Sequence, residues 1–179
     1  MVRKKSGAGA GQIYVMKVLV KQRFAALRQS EHTKSERDIR FIIKHPFIVQ
    51  LLSNLSFQSE SELYLVTDFY HGGCLKDHLC KSKFFFEHRA KFYAAELLCA
   101  LDHLHQKGIV YRDLKLENIV LDHVGHIALT DFGLSKLNIG RTAAGPAAFN
   151  RAAEYFAPEI LNGQPCGRAA NWRSFGVLM

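Results

Sequence analysis

The chain has 179 residues, with 24 Lys and Arg against 16 Asp and Glu, a formal net charge of +8. That length buries one respectable core. The basic side chains are scattered through both halves, and the short stretch Arg3-Lys4-Lys5 reads as a solvated strand end, so the charge points to no nucleic-acid partner. No apolar run reaches the roughly 18 residues that a membrane span requires, no secretory segment follows Met1, and Val2 excludes an N-myristoyl start. Cys74, Cys80, Cys99 and Cys166 form no CxxC pair and no metal-ligand spacing, the pattern of reduced thiols.

In chain order, the glycine-rich stretch 6–11 tempts a phosphate-loop reading. Gly11, however, lies only six residues before Lys17, too near for a loop, a full strand and a turn, so the stretch reads as a strand connection. Residues 12–19 alternate and are β-rich, a strand carrying Lys17 on one face. Residues 35–44 read as a helix ending before His45-Pro46, because the residue before proline avoids helical backbone. Strands over 49–57 and 63–69 flank the polar stretch 58–62, and Gly72-Gly73 then breaks the chain. The clearest helix spans 87–106: Phe92, Ala95, Leu98, Cys99, Leu101 or Ala100, and Leu104 recur near helical spacing, and Gly108 follows as a stop. Short strands over 119–121 and 126–129, hinged by 122–125, hold Asn118 and Asp131 near one another.

The chemistry concentrates in Val110-Tyr111-Arg112-Asp113-Leu114-Lys115-Leu116-Glu117-Asn118 and in Asp131-Phe132-Gly133. Alone, Asp113 is a loop acid, Lys115 a solvated cation and Asn118 a turn residue. Together their spacing suits Mg²⁺-assisted phosphoryl transfer. A carboxylate such as Asp113 orients a hydroxyl and relieves it of its proton late. Asp131 and Asn118 offer the oxygens that a hard cation prefers, and Lys115 neutralises charge on a transferring phosphoryl group.

These runs, with Tyr14-Val15-Met16-Lys17, His32-Thr33 leading to Glu36, His45-Pro46-Phe47, Leu63 to Phe69, Gly72-Gly73, and Glu154 to Glu159, resemble the AGC group of Ser/Thr protein kinases, in particular the protein kinase B and serum/glucocorticoid-regulated kinase branch. The resemblance implies an α+β, two-lobe kinase-like fold: a β-rich N-lobe over 1–66, a hinge over 67–73 and a helical C-lobe over 74–179. It also implies that both ends are incomplete, the Gly-rich loop lying before Met1 and the C-lobe being cut within the helix after Ala157-Pro158-Glu159. It implies ATP and Mg²⁺ as cofactors, a protein Ser/Thr substrate and a cytoplasmic location, with the nucleus also open; it sets no oligomeric state. By the same resemblance Asp113 and Lys115 are catalytic, Asn118 and Asp131 hold metal, and Lys17, oriented by Glu36, holds phosphates. Thr67 is the gatekeeper, Asp68 to Tyr70 the adenine-facing hinge, and Val15 and Val120 sandwich the ring.

Alternatives stand beside several of these readings. Glu36 also fits a capping box with Thr33 and an intrahelical pair with Arg40. Cys74, where relatives carry an acid, reads either as an ordinary small residue or as a thiol with lowered pKa at a helix start. Ala148 and Ala152 stand where relatives have threonines, the first removing a phosphorylation switch and the second the hydroxyl that in relatives ties the substrate loop to the catalytic acid and lysine, and Asn171 replaces an aspartate, a neutral amide for a charged acceptor. Two functions follow, an active Ser/Thr kinase domain and a catalytically impaired pseudokinase that binds nucleotide or a partner.

Overall fold

A computed structural model of the chain describes residues 1–22, 42–52, 55–133, 135–137, 153–162, 164 and 167–179. The glycine-rich stretch is a strand connection, as its spacing suggests. It joins β1 (Val2–Arg3) to β2 (Ile13–Val20), which pair antiparallel with Val2 opposite Tyr14. Gly7, Gly9 and Gly11 have φ of 80°, 80° and 89°, a left-handed backbone that residues with a β-carbon rarely adopt, so the turn itself accounts for the recurrence of glycine.

β2 pairs along its other edge with β4 (Glu62–Asp68), from Tyr14 opposite Asp68 to Val20 opposite Glu62, and β3 (Phe57–Gln58) completes the sheet order β1-β2-β4-β3. The strand expected over 49–57 is not continuous among the described residues: Ile48 and Leu51 form isolated bridges to Leu129 and Thr67. Local bonds replace the ladder there. The Gln50 side-chain amide donates to the His45 and Ile48 carbonyls, and the Leu55 and Ser56 N–H groups turn back onto Leu52 O. The helix expected over 35–44 lies outside the described residues except for its last three positions, of which Ile42 is helical.

At Gly72-Gly73 the chain passes hard against β6 (Ile119–Leu121). Gly72 N–H donates to Leu121 O and Leu121 N–H to Gly73 O, each at 2.9 Å. A β-carbon on Gly72 would lie 2.6 Å from Leu121 Cβ, an approach open only to glycine.

Two helices follow, α1 (Leu75–Ser82) and α2 (Glu87–Gln106). The bounds of α2 agree with the sequence reading; its stripe does so only at Ala100, Leu101 and Leu104. Tyr93, Glu96, Leu97, Ala100, Leu101, Leu104 and His105 are buried, whereas Phe92 is 45% and Leu98 48% exposed and Ala95 and Cys99 face solvent. Apolar residues occur all round this helix, so helical spacing alone supports two stripes. Tyr93 settles the choice: its ring packs edge-on to Phe85, and its hydroxyl accepts from Arg89 Nε at 3.0 Å. Gly108, with φ of 71°, ends the helix in the left-handed conformation that favours glycine.

Beyond α2 come β5 (Ile109–Val110), a 3-10 turn (Leu116–Asn118), the hairpin of β6 with β7 (Ile127–Leu129), and β8 (Lys136–Leu137), which returns to pair with β5. A second 3-10 turn (Ala153–Tyr155), α3 (Pro158–Leu161) and α4 (Arg168–Leu178) follow. The core joins the inner face of α2 to Ile109, Tyr111, Leu114, Ile119, Leu121, Ile127, Leu129 and Phe132. Each such Leu or Ile contributes about 1.5–3 kcal/mol when fully buried. The segments bearing Asp113 and Asp131 are therefore fastened to the best-packed part of the molecule. The whole is α+β, a sheet beside a helical unit, and no helix among the described residues is long and apolar enough to cross a membrane.

Candidate active site

The loop between β5 and the 3-10 turn is pulled inward by Tyr111 and Leu114, which are 0% and 2% exposed. The Tyr111 hydroxyl donates to Thr130 O, its ring meets Phe132 edge-on at 5.2 Å, and Ser135 Oγ donates to Tyr111 O at 3.1 Å. Between these anchors Arg112 adopts φ of 66°, a costly conformation for a non-glycine residue and one that clusters at functional turns.

Asp113, 4% exposed, is gripped from two sides. Lys115 Nζ lies 3.0 Å from both carboxylate oxygens, and Asn118 Nδ2 donates to Asp113 Oδ2 at 2.8 Å and to its main-chain oxygen at 2.9 Å. Charge-assisted bonds of this kind offset the cost of burying a carboxylate. Asn118 is itself fixed, donating its N–H to Lys115 O and accepting from Thr130 N–H, each at 3.0 Å. The next residue is Asp131, which also takes a positive φ, 53°. Its Oδ1 accepts from Lys17 Nζ at 2.9 Å, so an 8-residue strand of the sheet reaches the helical unit through a Lys–Asp contact between half-exposed side chains. The structure thus brings Lys17, Asp113, Lys115, Asn118 and Asp131 into one neighbourhood. Glu36, with its competing partners Thr33 and Arg40, and Ala148 and Ala152 lie outside the described residues.

The other expected residues lie on β2, on β4 and the connection after it, and on β6. Thr67 is buried near the end of β4, directly opposite Val15 in the sheet register, and half-buried Val120 forms an antiparallel bridge with Cys74. Burial pushes the Asp68 carboxyl up, and burial followed by the Asp68 and Asp122 charges pushes the Tyr70 phenol up. An open cavity of about 610 Å³ is lined by Gly11 to Ile13, by 68–71 and by Asp122 and His123. It borders the connection after β4 and does not include Asp113, Asn118 or Asp131 in its walls, so it is not the centre of the chemistry.

Cys74 departs from the sharper of its two readings. Its thiol is pushed up, first by burial, with the Asp77 carboxylate adding to the rise and main-chain bonds opposing it. The start of the eight-residue α1 does not reverse the direction of that shift, which favours the ordinary reading of the residue.

Sequence reasoning missed the contacts of Lys76, Glu96 and Asn171. Lys76 Nζ pairs with Glu117 Oε1 at 2.6 Å, beside Lys115. Glu96, buried on α2, accepts from Ile127 N–H at 2.9 Å and meets His126 Nδ1 at 2.5 Å, which locks the β6–β7 hairpin to the helix. Asn171 on α4 accepts the Arg112 N–H at 3.0 Å and reaches His105 at 2.9 Å, so the amide keeps a bond to the loop around Arg112. His105 falls at the next position of the 93, 97, 101 stripe, which burial and not the spacing singles out.

The donor chemistry fits Mg²⁺ with nucleotide. No group of three or more His, Cys, Asp or Glu gathers into a protein cage among the described residues. Asp131 and Asn118 instead offer a carboxylate and an amide oxygen, the small set that Mg²⁺ uses when phosphates and water complete its shell. Asn118 Nδ2 is committed to Asp113, which leaves its carbonyl oxygen as the end suited to a cation.

Residues 1–179 match the family model described as protein kinase domain. Ribosomal protein S6 kinase alpha-6 of Homo sapiens is 51% identical over 179 residues, 100% of this chain and 24% of that protein. Ribosomal protein S6 kinase alpha-3 of Mus musculus is likewise 51% identical, over 100% of this chain and 24% of its own length. Protein kinase 2 of Dictyostelium discoideum is 51% identical over 178 residues, 99% of this chain and 36% of that protein. The chain thus spans about a quarter of the S6 kinases and about a third of the Dictyostelium relative. With the Asp113–Lys115–Asn118 cluster in place, a match over every residue means that this chain belongs to the protein kinase domain family, alongside Ser/Thr kinases of the AGC group.

Proposed function

We propose that this chain carries out Mg²⁺-dependent transfer of the ATP γ-phosphoryl group to Ser or Thr hydroxyls of a protein. One observation carries the reading: a buried carboxylate, Asp113, is held by Lys115 and Asn118, and the Asn118 main-chain oxygen accepts from the N–H of Thr130, the residue before the Lys17-paired Asp131. Asp113 orients the substrate hydroxyl and accepts its proton late. Lys115, already 3.0 Å from that carboxylate, is placed to neutralise charge developing beside it. Asp131 and Asn118 would hold the metal and Lys17 the nucleotide phosphates, with Glu36 the residue we propose to orient Lys17. Thr67, Asp68, Tyr70, Val15 and Val120 receive the adenine. When bound, MgATP supplies the electrophilic phosphorus and a cation that screens its oxygens.

The test is transfer of labelled phosphate from MgATP to Ser/Thr peptides by the wild type and by Asp113→Asn. The expected loss is on the order of 10²-fold or more, the usual contribution of a positioned acid–base group. Equal rates would overturn the reading, and MgATP binding with no transfer by the wild type would establish the pseudokinase alternative in its place.

A further inference from the structure

The junction of Asn171, Arg112 and His105 has its hydrogen-bond polarity fixed by elementary donor and acceptor rules. A main-chain N–H only donates. The side-chain atom 3.0 Å from Arg112 N is therefore the Asn171 oxygen, which turns the Asn171 amino group toward His105. That group also only donates, so His105 Nε2, 2.9 Å away, accepts and carries no proton. All of this happens out of solvent: Asn171 is 1% and His105 4% exposed, with the Trp172 ring edge-on to the imidazole at 5.0 Å.

We infer that Asn171 is a positioning residue that holds His105 as the neutral, Nδ1-protonated tautomer and through it ties the loop bearing Asp113 to α2. A carboxylate at 171 demands the opposite. It can accept from Arg112 N–H, but toward His105 it needs a proton on Nε2, either in the other neutral tautomer or in the imidazolium. Residue 171 thus selects the state of the histidine, and protonating His105 at Nε2 removes one leg of the junction. The charged groups around the ring favour the neutral state on balance. Burial lowers the His105 pKa first and Arg168, at the start of α4, lowers it further, whereas Asp102 on α2 works the other way. The consequence for phosphoryl transfer rests on the function proposed above; the tautomer does not.

The experiment is long-range ¹H–¹⁵N NMR of the full chain, the His105 ring being assigned through its own backbone, with wild type and Asn171→Asp compared at pH 7.5 without nucleotide. The wild type is expected to show an unprotonated Nε2 and a protonated Nδ1. Asn171→Asp is expected to show a protonated Nε2 and a His105 pKa shifted upward. A protonated Nε2 in the wild type would overturn the inference, as would the same tautomer in both proteins. Should Asn171→Asp fail to fold, the wild-type ring alone decides between these outcomes. Neither readout needs turnover, so an inactive kinase leaves the test intact.

Discussion

Two Lys–Asp pairs of nearly equal length sit within this site and are built for different tasks. Lys115 and Asp113 meet at 3.0 Å with side chains 14% and 4% exposed; Lys17 and Asp131 meet at 2.9 Å with side chains 40% and 38% exposed. The first pair joins residues two apart in one loop, and Asn118 shares its carboxylate. The second joins a strand of the sheet to a residue 114 positions on. Distance alone does not separate them; burial and sequence separation do. A buried, over-determined pair fixes a geometry, whereas an exposed pair across two units opens at little cost when a better partner for either member arrives. A carboxylate that positions a hydroxyl needs the former, and residues that admit a metal–nucleotide complex need the latter.

The largest effect expected from this contrast is on stability. Lys115→Ala leaves a buried carboxylate with Asn118 as its remaining side-chain donor and should cost about 2–3 kcal/mol in urea unfolding. Lys17→Ala should cost less than about 1 kcal/mol, as exposed pairs do. Equal costs would erase the distinction.

A smaller effect concerns pH. Burial lowers the His45, His103 and His105 pKa values below 6.5, with His103 adding to the first and Lys107 to the second. Each contributes stability present above pH 6.5 and lost as pH falls below it, because the unfolded state then binds the proton that the folded state refuses. His126 has the opposite sign: its bond to Glu96, then the Glu96 charge, raises its pKa. Its contribution is complete below pH 6.5 and fades as pH rises through the folded value. Thermal melts from pH 5 to 8 should therefore show stability falling below about pH 6.5. His126→Asn should flatten only the loss at the alkaline end, and a variant that instead removed the acid-side loss would reverse these signs.

Legibility from sequence follows the same division between local and long-range contacts. The Asp113–Lys115–Asn118 cluster spans six residues, so its spacing nearly dictates its geometry, and the strand-turn-strand after it had to return Asp131 beside Asn118. The bounds of α2 were readable because Gly108 ends it, but its inward face was not, since Phe92 and Leu98 are as apolar as the residues that win. The stretch 49–57 looked like a strand because β propensity says nothing of Gln50 capping neighbouring carbonyls. Asn171 was visible as a departure, yet only the fold shows that His105 on another helix supplies its second partner.

The smallest effect separates the thiols. With Cys74 half-buried and its pKa raised, and Cys80 and Cys99 exposed, brief iodoacetamide labelling at pH 7.5 read by mass spectrometry should modify Cys74 no faster than Cys80 or Cys99. Preferential labelling of Cys74 would show that its helix start activates it after all.

The contrast between the two acids is tested most directly by Mg²⁺-dependent ATP affinity, measured by calorimetry on Asp131→Asn beside Asp113→Asn. Asp131→Asn is expected to weaken binding about tenfold or more, roughly 1.4 kcal/mol, while Asp113→Asn stays within about twofold of the wild type. Equal losses in both variants, or a larger loss at Asp113, would contradict the division of labour drawn from their burial.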